Sequence, residues 1–179
     1  MTDKGIKRYE AGLTALVVRI PEADPVVGAW RERYDPSAAL GVPAHVSVLY
    51  PFLDAGRTDE GVHAALAEVF ARHQAFDVRF ERCGRFPGML YLAPEPAGPF
   101  RELTEDVVAR WPEAPPYGGR FGGSAPHLTV ALRQEDAVLD EVEGELRAGL
   151  PFASRVTSVD LVAYDGTNWE ERASFALGG

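Results

Sequence analysis

The sequence predicts an α+β fold with two lobes related by an approximate two-fold axis, built from two antiparallel sheets with helices packed outside and a central cleft. Segments of alternating hydrophobicity are interspersed with segments of helical spacing along all 179 residues. Paired strands outnumber strand–helix–strand units, which favours antiparallel sheets. A short motif in the first half of the chain returns in the second half, which favours two related lobes. We expect residues 1–179 to form a single domain, because no low-complexity linker interrupts them.

The strands are predicted from apolar or alternating segments bounded by turn residues. Pro87 and Gly88 mark a turn between two of them, and Gly166 and Asn168 mark another near the end of the chain. The predicted strands cover residues 13–20, 45–52, 76–86, 89–95, 127–133, 154–165 and 170–178.

The helices are predicted from apolar residues at helical spacing, with ends fixed by capping residues and prolines. Asp35 ends the first helix, because the residue before a proline is pushed out of the α region. Thr58 or Asp59 is suited to cap the second helix, and Pro112 ends the third. The predicted helices cover residues 22–36, 57–74, 99–112 and 134–150.

The charge balance limits the partners. Acidic residues outnumber basic ones by 27 to 18, for a formal net charge of -9. A protein that holds a long nucleic-acid duplex usually presents a basic face, so we expect no such partner. A small nucleotide or an RNA terminus in a local pocket remains compatible with this charge.

The sequence also predicts a cytoplasmic monomer without a membrane partner. No segment approaches the roughly 20 apolar residues that span a bilayer. The first residues, MTDKGIKRYEAG, have mixed charges and no apolar signal region. The single cysteine, Cys83, has no partner for an internal disulfide, which is typical of a reducing compartment.

The repeated motif consists of a histidine, an apolar residue, a small hydroxyl residue and a valine. It appears in PAHVSVLYPF with His45 and Ser47, and again in APHLTVALR with His127 and Thr129. Within each strand the histidine and the hydroxyl residue point to the same face. Random placement of 4 histidines in this chain predicts fewer than one such pair, whereas two occur, each in a strand and with a proline one or two residues before the histidine.

Two such strands provide the groups that phosphoryl transfer needs. The imidazole pKa lies near neutrality, so one ring can accept a proton while the other donates one. The two hydroxyls can donate hydrogen bonds to the oxygens of a phosphoryl group held between the strands. Histidines on opposite sides suit in-line displacement at phosphorus, with either His45 or His127 as the base.

The paired strands resemble those of the 2H phosphoesterase superfamily, specifically its bacterial 2′-5′ RNA ligase-like, cyclic phosphodiesterase branch. The segment CGRFPGMLYLAPEP is similar to the G-x-F-P segment of that family, and VDLVAYDGTNWEERASFAL is similar to its closing hairpin. Ser47 stands where threonine is commoner in the family, which keeps the hydroxyl. The resemblance covers most of the chain.

The resemblance implies a metal-independent enzyme with no cofactor. Its expected reaction is opening of a 2′,3′-cyclic phosphate or a related 2′-5′ phosphodiester in an RNA terminus or small nucleotide. The reverse reaction would be 2′-5′ ligation. His45 and His127 are then the expected catalytic residues, and Ser47 and Thr129 the expected phosphate ligands.

Further contacts are predicted around the second motif. Arg133 follows the second histidine by six residues, which places it on the same face of a regular strand and near the phosphate. In the preceding loop, Arg120 is a second candidate cation, and Tyr117 and Phe121 can stack on a base or ribose. The same alternation places Tyr50 on the face opposite the first histidine, which favours a packing role.

Three alternative interpretations concern the motifs or the loop before the second motif. A zinc site needs three or four ligands, and neither motif has a second histidine, cysteine or carboxylate at a spacing of two, so no metal site is predicted. The glycine-rich YGGRFGG lacks the Gly-Lys-Ser/Thr end of a phosphate-binding P-loop. The remaining alternative is a binding module that holds a nucleotide or RNA end in the same cleft without turnover. Complete motifs in both halves favour the enzyme.

Overall fold

The computed structural model describes residues 9–119 and 125–178, and these residues form the predicted α+β fold. The strands are β1 (Thr14–Arg19), β2 (His45–Leu49), β3 (Phe76–Phe86), β4 (Met89–Glu95), β5 (Leu128–Ala131), β6 (Phe152–Val156), β7 (Ser158–Tyr164) and β8 (Trp169–Ala176). The α-helices are α1 (Asp24–Tyr34), α2 (Pro36–Ala39), α3 (Glu60–Ala71), α4 (Gly98–Arg110) and α5 (Asp136–Leu146). Within these two ranges, no helix combines the length and apolarity needed to cross a membrane.

The strands form one continuous antiparallel sheet, whereas the sequence predicts two. The order is β6-β3-β4-β5-β2-β1-β7-β8, and β2 joins β5 through the pair Val46 and Leu128. The alternation of side chains predicts which face of a strand is buried, but it carries no information about lateral neighbours. Pairing of β2 with β5 also leaves neither strand with an open edge, which explains why the two halves join.

The long helices pack on one face of this sheet, as predicted, and bury the main apolar core there. Phe100, Leu103 and Val107 of α4 and Leu16 of β1 are completely buried in this core. A second and smaller apolar cluster, which includes Val17 and Trp169, covers part of the other face. Strand β1 is therefore apolar on both sides, which explains its continuous apolar sequence.

Most helix ends follow the residues expected to fix them. Asp35 is extended and ends α1 before Pro36, and its side chain caps the short helix α2, which the sequence did not predict. Asp59 caps α3 by accepting a hydrogen bond from the Val62 amide at 2.9 Å.

The predicted strand 154–165 is two strands with different partners. Strand β6 pairs with β3 and β7 pairs with β1, so the chain changes its position in the sheet at Thr157. Val156 and Val159 are both buried although they are three residues apart, whereas residues on one face of a regular strand are an even number apart. The alternation of side chains therefore shifts by one residue at Thr157.

Both motif strands contain a β-bulge at the same position after the histidine. In β2, Leu49 pairs with Leu16 and Ser47 pairs with Val17, so Val48 is an extra residue. In β5, Thr129 pairs with Tyr91 and Ala131 pairs with Leu90 of β4, so Val130 is the extra residue. A bulge reverses the alternation beyond it, so residues after it lie on the face opposite to that expected from a regular strand.

Candidate active site

The two motifs are adjacent at the centre of the sheet. Val46 and Leu128 face the helices and are completely buried. Extending this antiparallel register by one residue in each direction places His45 opposite Thr129, and Ser47 opposite His127, all on the other face. Side chains at such diagonal positions are about 7–8 Å apart, which is the expected separation of the two histidines.

Each imidazole is held by a carbonyl oxygen two residues before it. The Nδ1 atom of His45 lies 2.8 Å from the Pro43 carbonyl oxygen, and that of His127 lies 2.8 Å from the Ala125 carbonyl oxygen. Because a carbonyl oxygen only accepts, Nδ1 carries the proton in both rings. In the neutral form of each ring, Nε2 is therefore the nitrogen with a free lone pair.

Burial lowers the pKa of both histidines below the ordinary value of 6.5. For His45, burial is the largest cause, Arg31 and the His127 ring also lower its pKa, and the Pro43 carbonyl and Asp35 oppose them. For His127, burial is again the main cause and the Ala125 carbonyl opposes it. Both rings are therefore predominantly neutral at pH 7, and the nearby His127 ring adds to the lowering of the His45 pKa.

A cavity of about 210 Å³ lies over the four motif residues, and we call it the central cleft. Both histidines and both hydroxyl residues line it. The Ser47 hydroxyl makes no hydrogen bond to the described part of the chain, and the Thr129 hydroxyl has only a weak contact of 4.0 Å with the Met89 sulfur. Both hydroxyls are thus available to a ligand.

Aromatic side chains surround the end of the central cleft beside Tyr50. Tyr50, predicted to pack on the opposite face, lines this cleft instead. The bulge at Val48 reverses the alternation and explains the error. Tyr9 and Trp169 line the same end, with ring centroids 5.2 Å apart, and neither was identified from the sequence. Burial raises the pKa of Tyr9 to about 12, so its phenol stays protonated.

His127 packs against two mutually contacting aromatic rings that the sequence did not single out. The Phe86 ring meets it edge to face at 5.6 Å, and the Tyr91 ring lies 5.5 Å away. The Tyr91 ring can occupy this position because it packs directly over Gly84. A Cβ at residue 84 would lie 2.5 Å from the Tyr91 Oη atom. Gly84 and Phe86 belong to the CGRFPG segment, which was the available signal for this contact.

A buried ion pair lies behind His45. The Arg31 guanidinium donates to the Asp35 carboxylate at 3.1 Å and to the Val42 carbonyl oxygen at 3.0 Å. The side chains of Arg31 and Asp35 are only 4% and 2% exposed. Asp35 also accepts hydrogen bonds from Ser37, and both of these residues line the central cleft. This network joins α1, α2 and the segment that leads into His45.

Arg133, one of the two cations predicted to bind phosphate, does not lie on a regular strand. Strand β5 ends at Ala131, and Arg133 adopts a left-handed conformation with φ 55°, so the assumption of a regular strand is wrong. Arg133 does not line the central cleft, but its charge lowers the pKa of Tyr9 at the cleft, so it lies nearby. Arg19, directly opposite His45 on β1, is already paired with Asp160 at 2.9 Å.

The loop before the second motif contains the other predicted ligand contacts. Tyr117 lines the central cleft, and its amide donates a hydrogen bond of 2.6 Å to the Tyr50 carbonyl oxygen. Arg120 and Phe121 lie outside the described residues. Among the described residues, no three His, Cys, Asp or Glu side chains are grouped to hold a metal ion.

The fold and the paired histidine strands define a class of two-histidine phosphoesterases, and the comparisons with known proteins agree. A family model described as the 2′-5′ RNA ligase superfamily matches residues 20–168. The chain therefore belongs to the 2′-5′ RNA ligase superfamily of 2H phosphoesterases. A search of curated protein sequences found no match.

Several solved structures share the fold at low sequence identity. Escherichia coli LigT complexed with 3′-AMP is 15% identical, with a TM-score of 0.64, and the match covers 95% of this chain and 100% of LigT. LigT has also been crystallised with ATP. The protein TT0787 of Thermus thermophilus is 19% identical, with a TM-score of 0.62, and the match covers 93% of this chain and 98% of that protein.

Proposed function

We propose that the chain is a metal-independent phosphodiesterase that opens 2′,3′-cyclic phosphates or 2′-5′ phosphodiesters in RNA ends or small nucleotides. The observation that carries the proposal is the arrangement of His45 and His127. Both rings are held through Nδ1 by a backbone carbonyl, and both line one small cleft on the same face of the sheet. The binding of 3′-AMP by LigT, which shares the fold, supports a nucleotide ligand.

The reaction uses the two Nε2 atoms and a water molecule. The neutral ring takes a proton from the water as its oxygen attacks phosphorus. The bond from phosphorus to one ribose oxygen breaks, and that oxygen takes a proton from the other, protonated ring. A cyclic phosphate thereby becomes a phosphomonoester. With the hydroxyl of a second nucleoside in place of water as the nucleophile, the same steps join two nucleosides through the opened phosphate.

The hydroxyls of Ser47 and Thr129 stabilise the phosphoryl oxygens during this step. Both are on the face of the histidines, and neither has a strong hydrogen-bond partner in the described chain. The phosphate anion also acts on the two rings, because a nearby negative charge raises the pKa of an imidazole. Ligand binding thus favours uptake of a proton from solvent by the ring that acts as the acid, although burial keeps both rings mainly neutral in the free protein.

The test is incubation with 2′,3′-cyclic nucleotides in the presence of EDTA. We expect conversion to a nucleoside monophosphate, detected by chromatography. Tight binding without a product would favour the binding module instead. Loss of turnover in EDTA that returns with a divalent cation would contradict the metal-independent mechanism.

A further inference from the structure

A buried network of side chains leads from helix α1 to the peptide units in front of His45. The Arg31 guanidinium donates to the Asp35 carboxylate through Nε at 3.2 Å and through Nη2 at 3.1 Å. Its Nη2 atom also donates to the Val42 carbonyl oxygen at 3.0 Å. Both charged side chains are almost fully buried, so these hydrogen bonds are shielded from competition with water.

The Val42 carbonyl lies one peptide unit before the carbonyl that holds the His45 ring. Pro43 follows Val42 directly, and its carbonyl oxygen lies 2.8 Å from Nδ1 of His45. The pyrrolidine ring fixes the φ angle of Pro43, and the bond from Arg31 fixes the plane of the peptide before it. Only the ψ angle of Pro43 then remains to set the direction of the carbonyl that orients the imidazole.

Backbone hydrogen bonds hold both ends of this segment as well. The Val42 amide donates to the Ser37 carbonyl oxygen at 3.0 Å, and the Ile20 amide donates to the Ala44 carbonyl oxygen at 2.9 Å. The bond from Arg31 is the contribution of a side chain to this support. It is therefore the contact that a substitution can remove.

The ion pair also borders the central cleft. Asp35 and Ser37 line this cleft, and Ser37 donates to the Asp35 carboxylate through its amide at 3.0 Å and its hydroxyl at 2.8 Å. Burial is the main cause of the lowered pKa of His45, and Arg31 lowers this pKa further while Asp35 raises it. The two charges are therefore close enough to the ring to act on it.

Folding alone does not require charges at these two positions. Replacement of a buried ion pair by apolar side chains of similar volume is often neutral or stabilising, because desolvation of the two charges offsets their attraction. Here the guanidinium does more than pair with a carboxylate, since it reaches the backbone in front of the first motif. An apolar pair would not reproduce that bond.

We propose that the buried pair of Arg31 and Asp35 positions the His45 ring for proton transfer, by fixing the peptide unit in front of the carbonyl that orients the ring. This inference rests on the proposed function, because it concerns turnover at the same site. Arg31 is a positioning residue, since it acts through the carbonyls of Val42 and Pro43 and does not line the central cleft.

The experiment exchanges the guanidinium for an ammonium without removing the charge. Arg31→Lys keeps a cation beside Asp35 but lacks the planar fork that serves two partners at once. The matched control is Arg147→Lys in α5, where Arg147 and Glu143 form an exposed pair with the same spacing of four residues. The substrate is a 2′,3′-cyclic nucleotide in EDTA, and thermal unfolding verifies that each variant is folded.

We expect Arg31→Lys to lower kcat by about ten-fold, since displacement of a reacting group by about 1 Å is already costly. Its KM should stay within about two-fold of wild type, because Arg31 does not line the central cleft. Arg147→Lys should change neither constant. The double variant Arg31→Met with Asp35→Leu removes both charges and the bond to Val42, and we expect at least the same loss in kcat from a protein that stays folded.

A second readout does not depend on turnover. Nitrogen NMR spectra of the free protein, at a pH where both rings are neutral, report which nitrogen of His45 and of His127 carries the proton. In the wild-type protein we expect the proton on Nδ1 of both rings. In Arg31→Lys and in the double variant we expect a mixture of tautomers at His45 alone, because the Ala125 carbonyl still holds His127.

The two readouts separate this inference from the proposed function. If the wild-type protein turns over no cyclic nucleotide, the proposed function fails, and the tautomer of His45 alone decides whether the pair holds the ring. Folded Arg31→Lys with the kcat of wild type would overturn the inference and leave the proposed function standing. A lower kcat with the wild-type tautomer at His45 would overturn it as well, because the loss would then have another cause. If the double variant does not fold, Arg31→Lys decides the question by itself.

Discussion

At the scale of single residues, the backbone carbonyls of Pro43 and Ala125 fix which nitrogen of each histidine is chemically active. A hydrogen bond of 2.8 Å to each carbonyl keeps the proton on Nδ1 and leaves Nε2 for the substrate. The carbonyl comes from the residue two positions before each histidine, so the motif itself carries the device that orients its ring. Neither ring needs a carboxylate partner for this purpose.

The lowered pKa values of the two histidines predict an acidic optimum for kcat/KM. A cyclic phosphodiester keeps its single negative charge throughout the range, so the profile reports the free protein alone. The reaction needs one protonated ring, and burial lowers the pKa of both rings below 6.5, with Arg31 reinforcing and Asp35 opposing the effect at His45. We expect kcat/KM to decrease as the pH rises above about 6.5.

The measurement is a profile of kcat/KM from about pH 4.5 to pH 9 with a 2′,3′-cyclic nucleotide. Because the rings interact, the two apparent pKa values belong to the pair rather than to single residues. A profile that keeps rising above pH 7 would show that the two apparent pKa values are not both below 6.5 in the free protein, and would contradict this account.

At the scale of elements, the hairpin of β3 and β4 positions His127 through the Tyr91 ring. Gly84→Ala would place a methyl group 2.5 Å from the Tyr91 Oη atom and 2.6 Å from Cε2, so the ring must move. We expect kcat to decrease several-fold with little change in KM, because His127 loses a contact that holds it while the central cleft keeps its lining.

Gly144→Ala in α5 is the matched control for this glycine change. A Cβ at residue 144 would have no neighbour within 4 Å, so the change should stabilise the helix by up to about 1 kcal/mol and leave kcat unchanged. Steady-state kinetics and urea unfolding of both variants provide the comparison. A Gly84→Ala variant with the kcat of wild type would show that Tyr91 does not position His127.

The junction of α1 and α2 depends on the buried ion pair of Arg31 and Asp35. Asp35→Ala leaves the Arg31 guanidinium buried without its partner and removes the cap of α2, so we expect a loss of about 3–5 kcal/mol in the free energy of unfolding. Replacing both residues, as in Arg31→Met with Asp35→Leu, should recover much of this loss. Urea unfolding tests both variants, and a loss below about 1 kcal/mol in Asp35→Ala would refute the assignment.

At the scale of the whole molecule, two strands from distant parts of the chain meet at the centre of one sheet and bring His45 and His127 together. The sequence predicted this meeting because the motif is repeated and each strand has one buried and one polar face. It did not predict the single sheet, because alternation defines the faces of a strand and not its lateral neighbours. The bulges at Val48 and Val130 were also invisible, and they explain the errors at Tyr50 and Arg133.

Other parts of the site arise only from packing. Tyr9 and Trp169 come from opposite ends of the chain and reach the central cleft through the pairing of β1, β7 and β8. Tyr91 reaches His127 only because Gly84 has no side chain. Contacts of this kind depend on tertiary neighbours, and no local spacing in the sequence encodes them.

The central claim is that His45 and His127 act together as one acid–base pair. The most direct measurement is kcat/KM with a 2′,3′-cyclic nucleotide, in EDTA, for His45→Ala, His127→Ala and the double variant. We expect each single variant to lose about 100-fold or more, and the double variant to lose little beyond that, because groups that act as a unit are not additive. A single variant that retains turnover, or a double variant whose loss is the product of the two single losses, would contradict the claim.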